Sequence, residues 1–75
     1  MEFFYIIIEN GEAYTLAYKT YEEAVQAVKE KHKELLNEED ILCDIDVPES
    51  ITNKTNLYIE KGINIIIQKT PINNT

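Results

Sequence analysis

A chain of 75 residues makes one domain, and at this size a single core supplies only about 3–5 kcal/mol of net stability, which excludes a second domain. Fourteen acids against seven lysines, with no arginine, give a net charge of −7, a balance that disfavours direct binding to nucleic acid. No stretch approaches the roughly 20 apolar residues of a membrane span, and the single Cys43 rules out an internal disulfide framework. A small domain without such staples fits a reducing compartment, so the cytoplasm is the expected location.

The opening residues are apolar but acidic at the start, lack a cleavage site and run into a turn, so they read as a strand and not as a signal peptide. Phe3 to Ile8 and Ala13 to Tyr18 flank Glu9-Asn10-Gly11-Glu12, with Asn-Gly where a two-residue type I′ hairpin wants it. The expected pairs are Ile8 with Ala13, Ile7 with Tyr14, Tyr5 with Leu16 and Phe3 with Tyr18, unless a bulge shifts the register. Alternation then sorts the hairpin into two apolar faces. One carries Phe4, Ile6 and Ile8 with the small Ala13, Thr15 and Ala17, leaving space for a helix to lie close. The other carries Phe3, Tyr5, Ile7, Tyr14, Leu16 and Tyr18, an aromatic surface that a helix on the opposite side would leave open. Periodicity does not say which side the helix takes.

Thr20 to Asn37 is the one stretch with a clear helical period. Tyr21, Ala24, Val25, Val28, His32, Leu35 and Leu36 form a one-sided stripe, with Glu and Lys opposite. Thr20 and Glu23 make a capping box, each side chain expected to accept from the other residue's backbone N–H. Next, Ile41 to Val47 alternates, with Ile41, Cys43, Ile45 and Val47 on one side and Leu42, Asp44 and Asp46 on the wet side. Pro48 to Asn56 reads as an exposed loop. Leu57 to Glu60 and Ile63 to Thr70 then form a second hairpin about Lys61-Gly62, and residues 71–75 are a loose tail. The expected fold is a two-layer α+β domain over residues 1–75, β-β-α-β-β-β, with one amphipathic helix on a four- or five-stranded, mostly antiparallel sheet.

No catalytic constellation stands out. His32, inside the apolar stripe, is read as an edge-of-core histidine with one nitrogen bonded, against the alternative of an acid, base or ligand. Cys43, on the inward side of its strand, is read as a buried thiol. A Cys43–His32 pair would still lack an oxyanion site and an orienting third group. Asp44 and Asp46 share a strand face but have no glycine-bearing loop or downstream bidentate glutamate to complete a cation site, and no Cys/His set suits zinc. No metal, cofactor or enzymatic activity is therefore expected. Two Asn-X-Thr sequons, at Asn53 and Asn73, are chance matches in an Asn-rich chain. Twelve Ile, seven Asn and no Arg match codons drawn from an AT-rich genome, such as that of a low-GC bacterium or its phage.

Charge is more informative. Glu34, Glu38, Glu39, Asp40, Asp44, Asp46 and Glu49 fall in a lysine-free stretch that carries the whole net charge. Acids near a helix C-terminus oppose its dipole, so helix stability does not account for them. Beside the reading of a solvated face stands that of a docking patch for a basic protein surface. The favoured expectation is a small, non-enzymatic protein-binding module, of the kind a phage or mobile element uses as an inhibitor. It would dock this patch and the face of Phe3, Tyr5, Ile7, Tyr14, Leu16 and Tyr18 on a basic host protein, such as one that binds nucleic acid. The alternative is a homodimeric structural or regulatory domain that buries the same aromatic face against itself; a minimal enzyme or ligand-binding domain built on His32 ranks third.

Overall fold

The computed structural model describes residues 2–38 and 40–72. In chain order the elements are β1 (Phe3–Glu9), β2 (Glu12–Tyr18), α1 (Tyr21–Lys31), α2 (Lys33–Leu36), β3 (Cys43–Asp44), β4 (Lys54–Ile59) and β5 (Ile63–Pro71). The strands form one antiparallel sheet in the order β2-β1-β5-β4-β3, with the helical layer on one side. This is the α+β architecture that the alternating and helical periods predict.

The first turn takes the backbone that Asn-Gly favours, φ 48° at Asn10 and 88° at Gly11, the left-handed pair of a type I′ turn. It is also fastened to the middle of the sheet. The Asn10 N–H donates to the Asn64 carbonyl at 2.9 Å, and the Asn10 Oδ1 accepts from the Asn64 N–H at 2.9 Å. Beside the turn the register is the expected one, Ile8 opposite Ala13. Further on, Ile6 faces Ala17 and Tyr5 faces Tyr18, because β2 carries a bulge between these pairs. The shift is by an even number of residues, so it changes partners without exchanging faces.

α1 starts where the sequence signals it. The Thr20 side chain accepts from the Glu23 N–H at 3.1 Å, while the Glu23 carboxylate takes the N–H of Lys19 at 3.3 Å, one residue earlier than a standard capping box. Thr20→Ala should therefore cost about 0.5–2 kcal/mol, read as a lower urea midpoint at an unchanged m-value. An unchanged midpoint would show that the cap adds nothing here. The helix does not run unbroken to Asn37. At His32 the backbone opens to φ −110°, ψ 23°, and a further short turn, α2, follows.

The buried core consists of Tyr5 and Ile7 of β1, Tyr21, Ala24 and Val28 of α1, Leu57 and Ile59 of β4, Ile65 and Ile67 of β5, and Ile45. The aromatic face of the hairpin is thus the one under the helix, not the alanine-bearing one. The packing surface of α1 combines Tyr21 at its first turn with the small Ala24, Ala27 and Val28, so large side chains of the sheet fill much of the layer between. The segment after β3 covers the rest of that side. The Tyr21 hydroxyl donates to the Val47 carbonyl at 2.6 Å, the Tyr5 hydroxyl donates to Glu49 Oε2 at 2.8 Å, and the Ser50 N–H donates to the Thr55 Oγ1 at 3.0 Å.

Three boundaries differ from expectation. The strand predicted over Ile41–Val47 contracts to Cys43–Asp44, with Cys43 exposed at the sheet edge and not buried. β4 begins at Lys54, inside the predicted loop, because Thr55, Leu57 and Ile59 all point into the core. Pro71 is the last residue of β5, opposite Phe3, and the Ile72 N–H donates to the Glu2 carbonyl at 3.0 Å. Pro71 is therefore part of the sheet and Ile72 is tied to the residue before β1, while the remainder of the expected tail lies outside the described residues.

Candidate functional site

The aromatic surface expected to face a partner is not a surface. Ile7 has no exposed area and Tyr5 is buried, while Tyr14 and Tyr18 are half-buried against the same core. The Tyr5 and Tyr21 rings meet edge to face, 6.3 Å between centroids. Burial, followed by the hydrogen bond to Glu49, pushes the Tyr5 phenol up to about 12. Phe3 is half-buried with the Lys69 ammonium 4.4 Å from its ring centroid. Of the six residues only Leu16, in the bulged part of β2, is largely exposed.

The acidic stretch is partly neutralised from within the fold. Asp46 pairs with Lys29 at 2.8 Å, Glu38 with Lys61 at 3.9 Å and Glu49 with Lys69 at 4.0 Å. Among the described residues, Glu34, Asp40 and Asp44 have no lysine within 4 Å, and Glu39 lies outside the described residues. Asp44 and Asp46 also part company. Asp44 stands opposite Tyr58 in the β3–β4 ladder, whereas Asp46, beyond the short strand, reaches α1.

His32 and Cys43 do not meet. His32 turns to Glu9 at the end of β1, and two strands, β5 and β4, separate β1 from the β3 strand that carries Cys43, a gap of about 14 Å at the usual strand spacing. Among the described residues no group of three His, Cys, Asp or Glu side chains could hold a metal ion, and no helix is long and apolar enough to cross a membrane.

The best-built polar cluster centres on Glu9. One carboxylate oxygen accepts from the Tyr14 hydroxyl and from His32 Nε2, each at 2.7 Å, and the other lies 3.5 Å from the Lys31 ammonium. Lys31 also sits 4.4 Å from the Tyr14 ring centroid. Burial pushes the Glu9 carboxyl up, but the hydrogen bonds from His32 and Tyr14, with the nearby positive charge, outweigh it and hold the group below its ordinary value. Burial and that carboxylate together raise the Tyr14 phenol. A cleft of about 340 Å³ opens beside the cluster, lined by Glu12, Ala13, Thr15, Leu16 and Tyr18. The two hydrogen bonds and the Lys31 charge favour the ionised carboxylate and make Glu9 a poor base, and the cluster ties the end of α1 to the first hairpin. Its signal in the sequence was His32 in the helical stripe, whose expected edge-of-core role with one bonded nitrogen is the one seen.

What remains open is the other side of the sheet. Phe4, Ile6 and Ile8 of β1 stand beside Thr70, Gln68 and Ile66 of β5, with Ala13 and Ala17 of β2 on one flank and Lys54, Asn56 and Tyr58 of β4 on the other. No helix or second sheet among the described residues packs on this face. Its large apolar side chains are half-buried by their neighbours within the sheet, and Tyr58 keeps 41 % of its area. No family profile matches the chain, and neither a curated protein nor a solved structure matches it.

Proposed function

We propose that this chain is a non-enzymatic protein-binding module whose contact surface is the open sheet face. The observation that carries the reading is Phe4, Ile6, Ile8 and Ile66, four large apolar side chains on adjacent strands with no layer over them among the described residues. Among the paired residues of β2, β1, β5 and β4 on that face one is charged, Lys54, and Asp44 of β3 borders it opposite Tyr58, in a chain of net charge −7. Contiguous apolar area depleted in charge is the signature of an interface core. The engagement of Glu9 by Tyr14, His32 and Lys31 favours this reading over a hydrolytic or acid–base role. The exposed thiol of Cys43 fits a reducing compartment such as the cytoplasm.

A paired pull-down tests it. Wild type should enrich a protein that Ile6→Lys fails to enrich, both baits being folded by circular dichroism. Equal recovery of the same protein by the two baits would overturn the open face as the contact surface.

A second surface is supported by the exposed Glu34, Asp40 and Asp44, the acids left without an internal lysine among the described residues. An inhibitor that docks on a basic host protein would use this end. In that case the double reversal Glu34→Lys and Asp40→Lys should abolish capture, and the capture by wild type should weaken with salt.

A further inference from the structure

Resting on the reading of the open face as the contact surface, we infer that its occupant is a second copy of this chain, stacked face to face about a two-fold axis. Charge is the first argument. The acids that would select a basic partner lie on the helical layer, the loops and β3, and the face between β2 and β4 is almost uncharged. Such a surface matches another uncharged apolar surface, and every copy of the chain brings one. Apart from Asp44, which stands opposite Tyr58 on the β3 rim outside the four stacked strands, the acids paired in the sheet lie off this face, so stacking buries none of the acids of the helical layer and does not force like charges into contact.

Shape is the second. A two-fold axis parallel to the strands and between β1 and β5 lays each β1 over the partner's β5, so that Ile8 of one copy meets Ile66 of the other. The pairing of these two residues across the β1–β5 ladder places them level on the face, as that symmetry requires. The same axis lays β2 over β4. By the same registers the shallow strip of Ala13 and Ala17 then receives the larger Asn56 and the stem of Lys54, small against large.

Area is the third. Four strands about 4.8 Å apart and roughly 23 Å long project about 440 Å² per copy, or roughly 900 Å² from two. Side-chain relief adds to this projected figure, which brings the interface to the about 1,000 Å² where specific association begins. The dimer is therefore expected to be in concentration-dependent equilibrium with the monomer and not obligate.

Sedimentation velocity over roughly 1–300 μM tests the inference, with Ile66→Asp and Ala17→Arg as disrupting variants and Glu30→Arg, on the helical layer, as the control. Ala17 is exposed on an edge strand, so its replacement spares the core. The expected result is a wild-type species of twice the chain mass, retained in Glu30→Arg and shifted at least tenfold toward monomer by each disrupting change. Isotope-filtered NOEs in a mixed-label sample should then connect the Ile8 and Ile66 methyl groups of different copies. Wild type that stays monomeric over the whole range overturns the self-partner and leaves the open face to the paired pull-down. A dimer insensitive to both disrupting variants, or lacking those NOEs, overturns the self-partner and the open-face reading together.

Discussion

Ile7→Ala is expected to lower the unfolding free energy by about 2–5 kcal/mol, the range for truncating a fully buried aliphatic side chain. Ile7 has no exposed area, lies opposite Ile67 in the centre of the sheet and belongs to the layer under α1. A domain of this length has roughly 4–11 kcal/mol in total, so the variant would lie near the edge of folding. The neighbouring Ile8→Ala makes the contrast sharp, since that side chain is half-exposed on the opposite side and its truncation should cost about 1 kcal/mol. Urea unfolding of both variants measures the difference. Equal losses would mean that the two sides of β1 have been assigned wrongly.

Glu9→Ala is the second large effect, about 2–3 kcal/mol, because hydrogen bonds to a charged group are the stronger kind and two donors lose their acceptor together. Its pH dependence has a definite sign. The folded carboxyl lies below its ordinary value of 4.5, so it adds stability that is fully present above 4.5 and is lost as pH falls through the lower folded value. Wild type should therefore lose stability across the acid range below 4.5. Glu9→Gln, which cannot ionise, should start lower at neutral pH and fall less steeply. Parallel acid limbs for the two proteins would remove Glu9 from the account.

Much of the fold is written in local signals that nothing overrides. Asn10-Gly11, Thr20 with Glu23, and the isoleucine-rich run of Ile63–Thr70 specify a turn, a helix start and a strand, and each is found where expected. What local signals leave undetermined is the side of the sheet that meets the helix. Both faces of β1 are apolar, so hydrophobicity cannot choose between Tyr5 and Ile6. The deciding information is tertiary: Tyr21 of α1 meets Tyr5 edge to face, and the two hydroxyls bond the segment after β3, contacts that no single element's period contains. β4 was missed at its start because Asn53, Lys54 and Asn56 are polar, and only the tertiary position of Thr55 makes that segment half of an alternating strand. The acidic stretch looked uniform in one dimension. Lys29, Lys61 and Lys69, distant in sequence, reach into it, and no window analysis sees such pairs.

Of all the strands β5 comes last in the chain, yet it lies in the middle of the sheet, between β1 and β4. Its partner residues on β1 precede it by roughly 60 positions; closing so long a loop adds only slightly to the entropy, since each doubling of length costs about 0.6 kcal/mol. Time is affected more than stability. While the polypeptide is being synthesised, the first hairpin exists with β1 as an unpaired edge, and the side chains of Tyr5 and Ile7 have no finished layer to enter. Pairing at long sequence separation is slow, of the order of milliseconds to seconds, and the interval before Ile63–Pro71 arrives is when this chain is most prone to aggregate or to need a chaperone. The strand that completes the native sheet also ends that exposure.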